Sequence, residues 1–271
     1  MRPLLLALDL DGTLLTEDCQ LPMAHALAVK EIRQLGVQVA IATGRGLMTA
    51  RLPWDHIGSR GPLVCFNGGW IGHPHDGTIL SRTLSESDVH AIMAALAGRD
   101  GVVCCYPDEL TWVMSHETRL TRAWSRLYQI PIQLRSDIRT TWRGNSIKIL
   151  YADTPEQISA TCAHLQSIFR NRFEVVISQP DRMEILPAGI TKGWGVMRLA
   201  KHLKIPRESV WAAGDADNDR EMIAWAGVGC VMGQASDHLK RIADHVLPSV
   251  NARGLCALVP MIERALDANQ G

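Results

Sequence analysis

No stretch of this 271-residue sequence stays apolar long enough to cross a bilayer. It also lacks an excess of either charge. Lys plus Arg and Asp plus Glu both number 28, so the formal net charge is zero. Without a basic surplus there is no electrostatic footing for nucleic acid or an anionic membrane surface, and neither is expected as a partner. The seven cysteines contain no C-x-x-C pair, and their number is odd. Cys19, Cys65, Cys104, Cys105, Cys162, Cys230 and Cys256 therefore offer neither a zinc spacing nor a disulfide framework. Several stand in apolar, strand-like runs, and they read as buried thiols of a reducing compartment. A secretory leader is not expected, because Asp9 and Asp11 cut the apolar run behind Met1-Arg2-Pro3 and no small-residue cleavage site follows. The expected location is the cytoplasm. No low-complexity linker or internal repeat is visible. What is there is a hydrophobic content of 46%, which at this length supports a sizeable core.

The first part of the chain alternates strand and helix. Leu4–Leu8 reads as a buried strand, followed by a helix around Pro22–Leu35 whose stripe is Met23, Ala26, Leu27, Val29 and Ile32, with Gly36 at its end. Val37–Ala42 is a second strand, a helix follows near Leu47–Leu52, and Leu63–Phe66 is a third strand. A βαβαβ run of this kind predicts a parallel sheet. From about Ser81 the pattern changes. Val102–Tyr106, Thr111–Ser115, Ser146–Tyr151, Phe173–Ser178 and Arg182–Leu186 are strand candidates of mixed polarity. Ser85-Glu86-Ser87-Asp88 and Thr154-Pro155-Glu156-Gln157 open helices. Two close strand pairs without intervening helices predict an antiparallel α+β module. After Pro187 the alternation returns: a helix after Gly189–Lys192, a strand Val210–Ala213, a helix Arg220–Ala226, a strand Val228–Val231, a helix near Ser236–Ile242, a short strand His245–Leu247 and a last helix from Leu255. The expected fold class is α/β. A Rossmann-like core, residues 1–80 and 188–271, has a parallel sheet flanked by helices, and an α+β domain, residues 81–187, is inserted in it.

In a parallel sheet the carboxyl ends of the strands lie along one edge, where ligands bind. Four segments bring reactive or phosphate-friendly residues to that edge: Asp9 and Asp11; Thr43, Gly44 and Arg45; Lys192 at a helix start; and Gly214-Asp215-Ala216-Asp217-Asn218-Asp219. Phosphoryl transfer needs an in-line nucleophile, a cation for the phosphate oxygens, fixed donors and an acid for the leaving group. This inventory fits. A carboxylate can be the nucleophile and a second can carry the proton. Mg²⁺ takes oxygen ligands and keeps waters, which suits two acids plus a backbone carbonyl. The Thr43 hydroxyl, backbone amides and the Lys192 ammonium would bind phosphate.

Asp9-Leu10-Asp11-Gly12-Thr13-Leu14, Thr43-Gly44-Arg45, Lys192-Gly193 and Gly214-Asp215-x-x-Asn218-Asp219 resemble, in order and spacing, the four motifs of the haloacid dehalogenase superfamily. The likeness is to its Cof-type subfamily (IIB), sugar-phosphatase-like hydrolases with a large α/β cap between the second and third motifs. It spans nearly the whole chain, and the stretch 226–235 also resembles that family's segment after the fourth motif. The resemblance implies a Mg²⁺-dependent phosphatase of small phosphorylated metabolites working through an aspartyl-phosphate. It implies Asp9 as nucleophile and Asp11 as general acid/base. The carboxylates of Asp9 and Asp215 and the carbonyl of Asp11 would hold Mg²⁺, with Asp219 in support, directly or through water. The Leu10 amide, Thr43, Gly44 and Lys192 would hold phosphate, assisted by Asn218. One local departure is Gly214-Asp215-Ala216-Asp217, where the family often has glycine at an intervening position. It removes no required group. A phosphomutase on the same core, or a phosphate-ligand sensor without turnover, are the alternatives.

Ordinary readings stand beside these. Arg45 reads simply as the partner of a nearby acid and is assigned no catalysis. Lys192 could be a solvated residue of a first helical turn, but a cation is poorly placed at the positive helix end unless an anion sits there. Asp217 reads as an exposed loop residue, and Asn67 has a lesser role near the entrance implied by the resemblance. His73-Pro74-His75-Asp76-Gly77 reads as a hairpin turn in preference to a metal pair. Trp112, Trp124 and Trp142 read as packing. Glu184, Lys148 and Arg143 stay open between the substrate's leaving group and a purely structural place.

Overall fold

A computed structural model describes residues 2–128 and 130–268; residue 129 and both ends of the predicted core range, residues 1 and 269–271, lie outside it. In chain order the elements begin β1 (Leu5–Leu8), α1 (Met23–Gln34), β2 (Gln38–Ala42), α2 (Leu47–His56), β3 (Leu63–Cys65), β4 (Trp70–His73) and β5 (Gly77–Ser81). Then come α3 (Glu86–Ala95), β6 (Val102–Cys105), β7 (Trp112–Met114), α4 (Arg119–Tyr128), β8 (Ile132–Leu134), α5 (Ile138–Thr141), β9 (Ile149–Ala152), α6 (Pro155–Phe169), β10 (Phe173–Gln179) and β11 (Arg182–Pro187). The chain closes with α7 (Lys192–His202), β12 (Val210–Gly214), α8 (Arg220–Trp225), β13 (Val228–Val231), α9 (Asp237–Lys240), β14 (His245–Val246) and α10 (Leu258–Asp267). Residues cluster into two compact units: Met1–Arg45, Ala50–Leu80 and Thr191–Gly271 in one, Gly46–Thr49 and Ser81–Ile190 in the other.

The first unit is built on an eight-stranded sheet of order β14-β13-β12-β1-β2-β3-β4-β5. From β14 to β3 every pairing is parallel; β4 returns antiparallel to β3. Strand β1 stands between β12 and β2, so the chain winds outward on one side of it and later on the other. That reversal is the switch point where open α/β sheets leave a crevice beyond the strand ends. All four residues of β1 are buried, as the run Leu5-Leu6-Ala7-Leu8 demands. Burial of each leucine contributes roughly 1.5–3 kcal/mol, which anchors the acidic tip that follows. One face of the sheet packs Leu5, Ala7, Ala40, Ala42, Val64 and Ala212 against Val196, Leu199 and Met222 of α7 and α8.

The second unit holds a six-stranded sheet of order β10-β11-β9-β6-β7-β8. Its pairings are antiparallel except β7 with β8, which is parallel and departs from the antiparallel expectation. Alternate residues of its strands, among them Val103, Cys105, Ile149, Tyr151, Met183 and Ile185, join Val89, Ile92, Ile158 and Leu165 of α3 and α6 in one core. The two helix starts form as the spacing predicts. Ser85 accepts from the Asp88 amide in a full capping box, and Thr154 accepts from Gln157 with Pro155 at the first position. Trp112, Trp124 and Trp142 are buried.

Two departures and one agreement stand out. Helix α2 runs past Leu52 despite Pro53, held by the buried Trp54, whose indole N–H donates to the Gly61 carbonyl (2.8 Å). Pro74, His75 and Asp76 form the expected hairpin turn between β4 and β5, and His73 Nε2, at the end of β4, lies against the Arg60 carbonyl (3.0 Å). Among the cysteines, Cys19 is exposed, in a turn with φ of 58°, and Cys256 is half-buried; the other five are buried. Among the described residues no helix is long and apolar enough to cross a membrane.

Candidate active site

The tip of β1 places Asp9 beside β12, where its amide donates to the Ala213 carbonyl (3.0 Å). The Asp9 side chain is 3% exposed, and Lys192, the first residue of α7, is 2% exposed. Lys192 Nζ donates to Asp9 Oδ1 at 2.6 Å and to Asp219 Oδ1 at 2.7 Å. The other oxygen of Asp219 accepts from the amides of Asp215 and Ala216, both at 3.0 Å. This carboxylate therefore closes the turn after β12 and holds the lysine at once. Gly214 is required there, since a Cβ would fall 2.4 Å from Asp219 Cγ.

Asp215 is tied to the first loop. Its Oδ1 accepts from the Thr13 hydroxyl (3.3 Å). Gly12, at φ of +82°, leaves room that a Cβ would fill, 2.2 Å from Asp215 Oδ2. One carboxylate oxygen from each of Asp9, Asp215 and Asp219 lies within 4.8 Å of the others. Three carboxylates thus surround one ammonium, and when all are ionised the cluster is short of positive charge. Burial, then the neighbouring Asp219 charge, holds the Asp9 carboxyl well above the usual carboxylate range. The same causes push Asp215 up to about 6. For Lys192 burial opposes the charge, but Asp219 and Asp9 outweigh it and its pKa rises. Hard oxygen donors, close together and with surplus negative charge, are the donor set of Mg²⁺ or another hard divalent cation.

Asp11 is placed differently. Its carboxylate lies outside the three-acid cluster, 48% exposed, and Arg45 grips it with Nε donating to Oδ2 (2.9 Å) and Nη2 to Oδ1. Arg45 is thus the partner of an acid, as the simpler reading of the sequence has it. At the β2 tip Thr43 is buried, donates its amide to the Val64 carbonyl (2.8 Å) and offers its carbonyl to the Asn67 amide (3.0 Å). Its hydroxyl oxygen accepts from the Arg45 amide (3.1 Å), which leaves the hydroxyl proton to donate. Gly44 backs onto Asn67, whose side-chain oxygen would stand 3.2 Å from a Cβ there. Asn67 is buried, takes a left-handed conformation (φ 52°), and accepts from Asn218 Nδ2 at 3.2 Å. Leu10 is buried, and its carbonyl accepts from the amides of Thr13 (3.3 Å) and Leu15 (2.7 Å).

So the tips of β1, β2 and β12 and the start of α7 converge in one unit through direct bonds. The structure joins Asp9, Lys192, Asp219 and Asp215 in one network and Thr43, Gly44, Asn67 and Asn218 in another. Asp217 is outward-facing and paired with His238 (2.9 Å). In the second unit Lys148 and Glu184 are buried and paired at 2.7 Å, and Arg143 donates to its neighbouring Trp142 carbonyl (2.8 Å). Two contributors stand in stretches that carry the resemblance but are assigned no role there: Thr13, behind Asp215, and Gln234, whose amide donates to the Gly12 carbonyl (2.6 Å).

The model of the haloacid dehalogenase-like hydrolases matches residues 6–258. An HMP-PP phosphatase of Serratia proteamaculans is 30% identical over 258 residues, covering 93% of this chain and 90% of that one. A 5-amino-6-(5-phospho-D-ribitylamino)uracil phosphatase of Bacillus subtilis is 27% identical over 264 residues, 90% of this chain and 91% of that one. A crystal structure of a haloacid dehalogenase-like hydrolase from Bacteroides thetaiotaomicron superposes with a TM-score of 0.85 at 22% identity, covering 96% of this chain and all (100%) of that one.

Proposed function

Because the chain belongs to the haloacid dehalogenase-like hydrolases, we propose that it is a cytoplasmic phosphatase of small phosphorylated metabolites that uses Mg²⁺ and an aspartyl-phosphate on Asp9. The observation that carries this reading is the buried Asp9, fixed by Lys192 at 2.6 Å in a cluster of carboxylates short of positive charge. A phosphate dianion cannot approach such a cluster unless a cation offsets its charge. Asp9, Asp215, the Asp11 carbonyl and, directly or through water, Asp219 would hold Mg²⁺. Bound there, the ion would neutralise phosphate oxygens and keep the Asp9 carboxylate ionised.

The steps belong to the side chains. Asp9 attacks phosphorus in line, and Lys192, the Thr43 hydroxyl and the amides of Leu10 and Gly44 hold the equatorial oxygens. Asn218, itself steadied on Asn67 Oδ1, assists. Asp11 gives its proton to the departing alkoxide. It then takes a proton from water, which attacks the aspartyl-phosphate and frees Asp9. Arg45 clasps both oxygens of the Asp11 carboxylate at rest and must release it before Asp11 can carry a proton. Residues 81–187 serve as the cap that selects the leaving group. The two relatives are, by their names, phosphatases of HMP-PP and of 5-amino-6-(5-phospho-D-ribitylamino)uracil, which fits a small-metabolite substrate.

A chromogenic phosphate monoester, assayed with Mg²⁺, after chelation and after Mg²⁺ is returned, tests the reading. Release of phosphate that chelation abolishes and Mg²⁺ restores is the expected result. Metal-independent hydrolysis, or isomerised sugar phosphate with no free phosphate, would contradict it.

A further inference from the structure

Gln234 lies in the turn after β13 and outside every segment given a role above. Gly233 precedes it where a Cβ would fall 2.9 Å from the Leu247 carbonyl and 2.9 Å from the Ser249 amide, so the chain passes this point with its backbone in close contact. The Gln234 side chain then reaches three separate segments. Its Oε1 accepts from the Val250 amide (3.0 Å). Its Nε2 donates to the Gly12 carbonyl (2.6 Å) and to Asp215 Oδ2 (3.4 Å). All three contacts agree on one orientation of the amide, because Val250 N–H can only donate while a carbonyl and a carboxylate can accept. Gly12 directly follows Asp11, and its missing Cβ is what lets the first loop lie against Asp215.

We infer that Gln234 is a positioning residue for the cation site, joining the loop that carries Asp9 and Asp11 to the Asp215 carboxylate. The inference rests on the Mg²⁺ reading above. Gln234 touches neither the reacting atoms nor the phosphate donors. It fixes the distance between ligands contributed by opposite ends of the chain, and the Val250 amide fixes Gln234 in turn. An outer partner of this kind sets metal affinity, and its loss weakens binding by about 10- to 100-fold.

The test is a calorimetric titration of Mg²⁺, without substrate, into metal-free wild type, Gln234→Met, Gln234→Asn and Asp215→Asn, each first shown to melt cooperatively. Methionine keeps the length and removes the amide; asparagine keeps the amide on a stem too short to bridge both partners. Both Gln234 variants are expected to bind Mg²⁺ roughly 10- to 100-fold more weakly than wild type. At saturating Mg²⁺ their kcat and KM for a phosphate ester should return to within about threefold of wild type, since the reacting groups are intact. Wild-type Mg²⁺ affinity in either folded variant would overturn the inference, as would a loss of kcat that excess Mg²⁺ does not restore. If wild type binds Mg²⁺ and Asp215→Asn does not, the site stands whatever Gln234 does. If wild type takes up no Mg²⁺, or Asp215→Asn binds it as wild type does, the reading of the site itself falls and the inference with it.

Discussion

Each unit of this protein buries a lysine against carboxylate, and the two arrangements differ in their charge. In the second unit Lys148 and Glu184 form a pair of one ammonium and one carboxylate, 2.7 Å apart, with Lys148 also over the Tyr106 ring. In the first unit Lys192 sits between Asp9 and Asp219, and Asp215 brings a third acid within 4.8 Å. Burying charge costs several kcal/mol per ion, which a well-made pair largely offsets and an unbalanced cluster does not. A matched pair is complete as a piece of structure. A cluster with surplus acid is built for something positive to join it, and the raised pKa of Asp9 and Asp215 is the local sign of that shortage.

The largest effect that can break this contrast comes from Asp9, the proposed nucleophile. Asp9→Asn should lower kcat by roughly 10⁴-fold or more with the fold retained by circular dichroism, because an amide cannot form the phospho-intermediate. Near-normal turnover would remove Asp9 from the reaction.

Next come the two lysines. Lys148→Met and Lys192→Met each leave buried carboxylate without its partner, and both should cost about 3–5 kcal/mol in chemical denaturation. The contrast lies in the response to Mg²⁺. It should stabilise Lys192→Met, by offsetting the uncompensated negative surplus, and leave Lys148→Met no more responsive than wild type. Equal responses would erase the distinction between the two pairs.

A smaller effect is expected with pH. Burial and the Asp219 charge push the folded-state pKa of Asp215 up to about 6, above the ordinary 3.8 of an aspartate. The stability linked to its protonation is therefore fully present below about pH 4 and lost as pH rises through 6. In chelator, denaturation of wild type against Asp215→Asn should show this as a loss of about 1–2 kcal/mol between pH 4 and 7, partial exposure screening the remainder. Mg²⁺ should reverse the sign, since it favours the ionised carboxylate. The smallest effect is that of Asp217→Asn, whose carboxylate is 80% exposed and pairs with His238. Its kcat/KM should stay within about twofold of wild type, as surface ion pairs contribute little.

Much of the fold was readable because short buried runs end in unmistakable chemistry. Leu5–Leu8 could only be a covered strand, and Asp9 and Asp11 behind it could only stand at its tip. The caps Ser85 and Thr154 announce helices with their own hydrogen bonds. Strand β8 was missed because three residues at a sheet edge, two of them exposed, show no period. Helix α4 has an N-cap, Thr118 accepting from the Thr121 amide (3.2 Å), but no Glu or Gln three residues on to mark it. In the site, the convergence of Asp9, Lys192 and Asp215 followed from parallel topology. Which acids share the cluster did not. The clasp of Arg45 turns the Asp11 carboxylate aside, and Asp219 earns its burial through two backbone amides. Gln234 lies in the stretch 226–235 that shares in the resemblance, but its contacts, 16 and 222 residues away in sequence, do not follow from that likeness.

The central claim is that the unbalanced cluster exists to let Asp9 take a phosphoryl group. The most direct measurement is mass spectrometry of the acid-quenched enzyme after brief reaction with a phosphate ester and Mg²⁺, using Asp11→Asn to slow hydrolysis of the intermediate. One phosphoryl group is expected on the peptide carrying Asp9, absent when Mg²⁺ is chelated. Turnover of the ester with the phosphoryl group on another residue, or on none, would contradict it.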